Sequence, residues 1–488
     1  MSKRLILVLA LAFVVGIAVC AYAEVQNVKV SGDILLRGIS RSNFSLNKSA
    51  YTYTYSDVGD YTWVEGDDGY YYYVYDPELE YTETVTIPRK YKVSGLTSTA
   101  RVRVDADLTD NVSTTVRLLN ERSWGLEESS YHGGNADVSI DLAYVTLKEF
   151  LYSPLTLTLG RQELRFGNAL IIGDPDTNLL ANESWVPYDL SARKAFDAMR
   201  ATLNYDPLVI DLIYAKIDEQ DWAWWDTNGV EKNDTDLYGM NAAYNLKDLG
   251  ITGKAELYFF SRVNRLPVYY SYLTKKDICN TIGMLVSGKI VDNLSGSLEY
   301  AYQFGNTAYG WDGINSRANL KRRAFALQAI LNYAFQTKYN PNLTVAYTYL
   351  SGDKKSDKTD NYWDPMFTDQ TGNNIVSALF PATDNQSINV IGSIKPKEDL
   401  TLSANYGYYR LAQKLSYLYG PYASSMPYIM TDKKTLGSAL DITATYDYTE
   451  DVQLGLTFGY FNPGNAFDKS YGYKQNATQL IGSMKVTF

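Results

Sequence analysis

The chain closes on Gln479-Leu480-Ile481-Gly482-Ser483-Met484-Lys485-Val486-Thr487-Phe488. Leu480, Gly482, Met484, Val486 and Phe488 alternate with Gln479, Ile481, Ser483, Lys485 and Thr487, so one face is apolar and the other mostly polar. A period of two marks a β-strand, because successive side chains leave opposite sides of the pleat. The pattern recurs upstream. Val452, Leu454, Leu456, Phe458 and Tyr460 alternate with Gln453, Gly455, Thr457 and Gly459, and Leu440, Ile442, Ala444 and Tyr446 with Asp441, Thr443, Thr445 and Asp447. Near the start, Ala100, Val102, Val104 and Ala106 face away from Arg101, Arg103, Asp105 and Asp107.

Followed along the chain, this alternation predicts eighteen strands, from 26–39 to 478–488, whose connections alternate between short and long. Short ones include Leu108-Thr109-Asp110-Asn111, Asp206, Val291-Asp292 and Tyr448-Thr449-Glu450-Asp451. Long ones are 40–94, 122–136, 163–195, 218–235, 262–279, 305–321, 351–385, 411–435 and 462–477. A soluble sandwich gives no reason for that regularity. A transmembrane antiparallel β-barrel does, with short periplasmic turns and long extracellular loops. Aromatic residues gather near strand ends, as in Tyr300-Ala301-Tyr302-Gln303-Phe304 and Tyr406 to Tyr409, where rings with wet hydroxyls suit a membrane interface. A spanning sheet must close, since each unpaired backbone group in hydrocarbon costs several kcal/mol. Eighteen strands enclose a water-filled lumen, so a channel is the expected function. The final strand, ending in Phe488 as outer-membrane barrels typically do, is the expected handle for the barrel-assembly machinery.

Composition agrees with this class. Mean hydropathy is −0.26, and the one long apolar run lies at the N-terminus, which rules out a polytopic helical protein. Met1 to Ala23 reads as a cleavable secretory signal: Lys3 and Arg4, an apolar core Leu5 to Val19, then Ala21-Tyr22-Ala23. Residues 24–488 form a single expected barrel domain, placed in the outer membrane and in contact with its lipid. The 488 residues carry 45 Lys+Arg against 55 Asp+Glu, a balance that argues against a nucleic-acid partner. Only Cys279 remains after cleavage, so no intrachain disulfide is expected. No cofactor is expected either. Asp174 with Asp176, and Asp353 with Asp357 and Asp360, lack the ligand spacing of a calcium loop. The single histidine, His132, falls in a predicted outer loop with no nucleophile motif nearby, so no enzymatic activity is expected.

An ordered set of motifs resembles the alginate-export family of outer-membrane β-barrel porins. Its most specific part is Leu159-Gly160-Arg161-Gln162-Glu163-Leu164-Arg165-Phe166-Gly167, then Leu170-Ile171-Ile172-Gly173-Asp174, then Lys194-Ala195-Phe196-Asp197-Ala198-Met199-Arg200. Tyr302-Gln303-Phe304-Gly305, Ser351-Gly352-Asp353, Asn361-Tyr362-Trp363-Asp364-Pro365-Met366-Phe367, Leu440-Asp441-Ile442 and Gly459-Tyr460-Phe461-Asn462-Pro463-Gly464 follow. The resemblance implies an eighteen-stranded pore for an anionic polysaccharide, lined by arginines and gated by loops. The chain departs from the family at Ala439, where an acidic residue is usual, and in its long Tyr-rich first loop.

Opposite the apolar registers lie Lys29, Arg37, Arg101, Arg103, Arg117, Arg200, Lys254 and Lys289, together with Asp33, Asp105, Asp141, Asp211, Glu256, Glu299 and Asp441. The lumen is therefore expected to be mixed in charge. Arg161, Arg165, Arg193 and Arg200, at the mouth or on the third outer loop, with Arg101, Arg103 and Arg117 on the wall, are the candidate selectivity residues. Guanidinium suits this role because it binds carboxylate bidentately and keeps its charge. Three readings stay open: a channel for anionic sugars or polysaccharide, a general diffusion porin, and a structural or adhesive barrel. The tyrosines of the first loop, Tyr51 to Tyr75, either pack the loop against itself and extend the strands or stack on glycan.

Overall fold

A computed structural model describes residues 27–46, 51–65, 71–87, 92–125, 138–175, 187–218, 234–265, 276–310, 317–354, 358–370, 372–415, 417–418, 428–468 and 475–488. The predicted signal, His132, Asp176 and Asp357 lie outside them. The wall strands are β1 Asn27–Ser42, β2 Lys92–Thr109, β3 Val112–Ser123, β4 Ser139–Leu147, β5 Leu155–Glu163 and β6 Ala195–Asn204. There follow β7 Leu208–Asp218, β8 Thr235–Asn245, β9 Gly253–Asn264, β10 Asp277–Val291, β11 Leu294–Gly310 and β12 Arg317–Ala334. The last six are β13 Asn342–Leu350, β14 Asn385–Lys397, β15 Leu400–Leu411, β16 Thr435–Asp447, β17 Val452–Pro463 and β18 Ala477–Thr487.

Each strand pairs antiparallel with its sequence neighbours, and β1 also pairs with β18 from Asp33↔Thr487 to Ser42↔Thr478, so the eighteen strands form a closed ring. At the periplasmic rim Gly32 and Phe488 exchange backbone hydrogen bonds of 2.7 and 3.0 Å. Closure leaves no edge strand facing lipid.

Alternation divides the wall as expected. Val28, Val30, Val102, Val104, Leu212, Met240, Ile282, Met284, Leu456 and Phe458 are large apolar residues exposed on the outward register. Their exposure on one face of strand after strand is the mark of a lipid contact. Tyr300, Tyr302 and Phe304 share that register, while Ala301 and Gln303 between them are buried inside. Tyr152 and Tyr205 meet hydroxyl to hydroxyl at 2.5 Å on the periplasmic rim.

The loops supply the rest of the interior. The described parts of the third outer loop (164–175 and 187–194) and of the seventh (351–354, 358–370 and 372–384) fold inward. Leu164, Phe166, Leu170, Ile171 and Ile172 of the third join Trp363, Met366 and Phe367 of the seventh in one apolar cluster. That cluster rests on small inward residues of the wall: Ala198, Ala215, Ala301, Ala324 and Ala326. Gly239 and Gly283 belong to the same face. A Cβ at Gly239 would strike the Phe260 ring, and one at Gly283 the Tyr258 ring. The wall from β6 to β12 is thus cut back to seat the loops.

A second cluster caps the far side, where the short helix α1, Asn374–Leu379, packs with Phe44, Tyr428, Phe461 and Phe467. Ala439 is buried in it. A carboxylate there would be desolvated beneath an apolar helix, which accounts for the departure from the family pattern. In the first loop, Tyr51–Glu65 and Tyr71–Ile87 pair with one another as a two-stranded hairpin separate from the barrel sheet.

Candidate pore lining

Away from the seats of the two inserted loops, the β1–β5 side of the lumen is the more open one. The third loop reaches it at its outer end, through Leu190 to Arg193. Here the inward register carries long charged residues in place of alanine and glycine. On β1 and β2 it reads Lys29, Asp33, Arg37 and Arg101, Arg103, Asp105, with Arg101 opposite Asp33 and Arg103 opposite Ser31. At about 3.3 Å per residue, Lys29 to Arg37 spans about 26 Å along the strand. The cations therefore form a track along the wall. Arg101 binds Asp33 through two contacts of 2.8 and 3.0 Å, and Arg103 binds Asp105 through two of 2.8 Å. Arg37 donates to the carbonyl of Leu190 in the third loop at 2.7 Å.

The third loop is held at both ends. Glu121, buried on β3, accepts from the Ala192 amide at 2.7 Å and the Ser191 hydroxyl at 2.9 Å, with Arg193 at 3.8 Å. Across the lumen, Gly167 and Asn168 donate their amides to Glu256 and Glu299 at 3.2 and 3.1 Å. Glu299 also accepts from the Tyr258 hydroxyl at 2.8 Å. Two of the inward carboxylates predicted from alternation are thus anchors for a loop tip. Asp441 does the same for the seventh loop by accepting from the Asn374 amide.

The third and seventh loops are also joined to each other. Phe367 donates to Ile171 at 3.0 Å, Asp174 to Phe367 at 2.9 Å and Asp369 to Ala169 at 3.0 Å, all through backbone. Beside this seam Arg165 meets Asp369 Oδ2 at 2.6 Å, and Lys194 meets Asp369 Oδ1 at 3.0 Å and also Asp174. Burial pushes the Lys194 ammonium down, but Asp174 and Asp369 outweigh it and hold its pKa above the ordinary lysine value.

A buried ionic knot secures the seventh loop to the outer ends of β9–β12. Asp364 takes Arg262 bidentately at 2.6 and 3.0 Å and Arg322 at 3.2 Å. Asp277 completes the knot at 3.4 and 3.2 Å from the two arginines. Gln303 clamps the Asp364 backbone from both sides, donating at 2.7 Å and accepting at 3.0 Å. Burial pushes the Asp364 carboxyl up, yet Arg262 and Arg322 hold it well below the usual carboxylate range. Asp364 is the acid of the Asn361-to-Phe367 motif, whose role the sequence left undefined.

The candidate selectivity residues divide. Arg101, Arg103, Arg165, Arg193 and Arg200 stand on the open side. Arg200 binds Asp211 at 2.7 Å and lies over the Phe166 ring at 5.5 Å. Arg117 is buried between Asp141 and Glu163, each at 2.5 Å, and braces the wall instead of meeting solute. Arg161 belongs elsewhere. It is opposite Asp197 and in the register of Leu159 and the exposed Met199, so it faces outward and pairs with Asp197 at 3.1 Å. The expected place at the mouth fails because one residue of register moves a side chain to the other face.

In the pairs that line the lumen at Arg101, Arg103, Arg165, Arg200 and Lys254 the more exposed partner is the cation, whereas at Arg117–Glu163 and Arg161–Asp197 it is the acid. Side-chain exposure is 57% for Arg165 against 29% for Asp369, 33% for Arg200 against 6% for Asp211, and 51% for Lys254 against 3% for Glu256. At Arg200 and Lys254 the carboxylate is spent on the wall while the basic group keeps contact with water.

The seventh loop meets the eighth through Asp384, which accepts from the Gln413 amide at 2.7 Å and leaves Oδ2 without a partner among the described residues. Burial pushes its carboxyl up to about 7. The Gln413 and Ala412 hydrogen bonds and Lys434 oppose that shift, and Asp353 adds to it. The sign follows from linkage. Between pH 4 and 7 the folded protein keeps a proton that the unfolded segment has released, so this junction weakens as pH rises. The junction is expected to open more readily at pH 8 than at pH 5, by up to about tenfold per pH unit within that window. Amide exchange in residues 372–384, divided by the intrinsic exchange rate at each pH, reads this opening, and Asp384→Asn is expected to remove the remaining slope.

A family model described as alginate export matches residues 74–479. Among solved structures the chain is similar to the outer-membrane protein OpdK of Pseudomonas aeruginosa, at 9% identity and TM-score 0.50, covering 94% of this chain and 99% of that one. OccAB4 of Acinetobacter baumannii is similar at 11% identity and TM-score 0.51, with 96% and 100% covered. OccK2 (OpdF) of P. aeruginosa is similar at 10% identity and TM-score 0.50, with 95% and 99% covered. At these identities the likeness is one of fold. The comparison with curated protein sequences returns no match.

Proposed function

The chain belongs to the alginate-export family and is an outer-membrane channel, and on that premise we propose that it passes anionic, carboxylated sugars and their oligomers. The observation carrying this reading is the asymmetry of the lumen pairs, in which Arg165, Arg200 and Lys254 are more exposed than their carboxylates. A solute carboxylate moving along β1 and β2 meets guanidinium donors already oriented by Asp33 and Asp105, so little side-chain entropy remains to be lost on contact. Charge-assisted pairs of this kind are roughly twice as strong as neutral hydrogen bonds, and exchange between successive cations keeps any one of them from becoming a trap. Flux is passive and follows the gradient. The reading assigns the chain no catalytic step. It gives the last strand, with Phe488, the role of presenting the chain to the barrel-assembly machinery.

Swelling of liposomes carrying the purified barrel tests the reading. Galacturonate is expected to enter several-fold faster than galactose. The combined Arg101, Arg103, Arg165 and Arg200→Gln variant is expected to bring the two rates together. Equal rates in the unaltered protein would mark a general diffusion porin instead.

A further inference from the structure

Asp369 is unlike the buried lumen carboxylates. Glu256, Glu299, Asp211 and Asp441 are buried. Asp369 keeps 29% exposure and divides its two oxygens between Arg165 at 2.6 Å and Lys194 at 3.0 Å. Its own position does not depend on those contacts, because its amide is fixed to Ala169 and the Phe367 backbone bridges to Ile171 and Asp174. Leu164 and Phe166 bury against β6–β9, with Phe166 5.5 Å from the Phe260 ring, so the exposed Arg165 between them turns to the more open side of the lumen. Arg200, 5.5 Å from the centre of the Phe166 ring, adds a third cation beside this loop.

We propose that Asp369 is a tethered stand-in for the solute's carboxylate, and that Arg165 and Lys194 form a uronate subsite it occupies between passages. A sugar carboxylate entering the seam takes the guanidinium fork of Arg165 and the ammonium of Lys194, which has Asp174 as its second partner. Asp369 turns to water, and recaptures both cations when the solute moves on. The stand-in keeps the two cations positioned without holding the solute tightly, as conduction requires. This site rests on the anion-channel reading and specifies where along the path the carboxylate is held.

Titration calorimetry of the whole barrel in detergent with galacturonate tests it. Asp369→Asn removes the internal competitor and is expected to bind galacturonate at least fivefold more tightly, while Arg165→Gln binds at least fivefold more weakly. Asp174→Asn, which takes the other partner from Lys194, is expected to change affinity less than twofold. Asp369→Ser serves as a second variant if the Asn protein loses its heat-modifiable barrel form, and the same tightening is expected. Unchanged or weaker binding in both folded Asp369 variants would overturn the proposal. If that occurs while the unaltered protein still admits galacturonate faster than galactose, the subsite falls and the channel reading stands. If galacturonate has no advantage in swelling, the channel reading itself has failed.

Discussion

Replacing Asp364 by Ala is expected to release the seventh loop from the lumen and raise single-channel conductance several-fold. Arg322 is buried and Arg262 nearly so, both against Asp364 and Asp277. Removing the carboxylate that serves both leaves two guanidinium groups facing each other with one acid between them. Breaking a buried ionic group by deleting one partner costs about 3–5 kcal/mol, because the remaining charge stays desolvated. The barrel avoids that cost by letting the loop leave, which hydrates both arginines. The loop is also held by Gln303 on Asp364, the seam to the third loop, a short parallel pairing of Thr359 and Asp360 with β12, and the Asn374 and Asp384 contacts. The part that leaves is therefore the segment around Asp364. The wall is unaffected, since β9–β12 keep their ladders. Bilayer recordings should therefore show a larger, noisier pore of unchanged heat-modifiable mobility, with new protease sites between residues 354 and 384. Replacing Arg262, Arg322 and Asp364 together by apolar residues is expected to restore much of the loop's hold, because no buried charge is then left unpaired. A conductance unchanged in Asp364→Ala would mean that apolar packing of Trp363, Met366 and Phe367 suffices alone.

Alternation made the wall legible. Each strand had to present lipid on one side, so β13 matches its predicted bounds 342–350, while β11 extends further at its outer end and β2 at both ends. The interior was less so. Ala324, Ala326 and Gly283 are small residues on the inward register, which marks where something large seats against β6–β12. What seats there is decided by complementarity between segments almost 200 residues apart, and alternation carries no such information. The same holds for charges. Arg262 and Arg322 stand at strand ends, where an isolated sequence cannot tell a buried knot from solvated cations. Arg161 shows the opposite error. Its Gly-Arg-Gln motif drew it into the lumen, but the pairings of Leu159 with Met199 and Arg161 with Asp197 put it outside. Lys194 and Asp369 were not candidates at all, because their meaning arises only where the third and seventh loops touch.

Reversing the charge of the track at its periplasmic half, with Lys29→Glu and Arg103→Glu together, is expected to invert ion selectivity. These two positions are the useful ones. Arg103 and its partner Asp105 are both about one-third exposed, and Lys29 is exposed on the same face, so neither reversal strands a buried acid. The Arg200 site would not allow this, since Asp211 is buried against it. A cation 8 Å from a passing ion at an effective dielectric of 20 contributes about 2 kcal/mol, and reversal swings the interaction by about twice that. Screening over a Debye length of about 10 Å at 0.1 M salt reduces the swing but does not abolish it in a walled passage. With tenfold in permeability for every 1.4 kcal/mol, the ratio of chloride to potassium permeability is expected to fall at least tenfold. The reversal potential in a salt gradient should change sign, and the shift should shrink as salt is raised. Lys289→Glu provides the comparison: Lys289 lies on the β10 side of the lumen and pairs with Asp292 at 2.5 Å, away from the track, so its reversal is expected to move the potential little. Equal shifts from both sides of the wall would mean that ions sense the net charge of the barrel and not a path along β1 and β2.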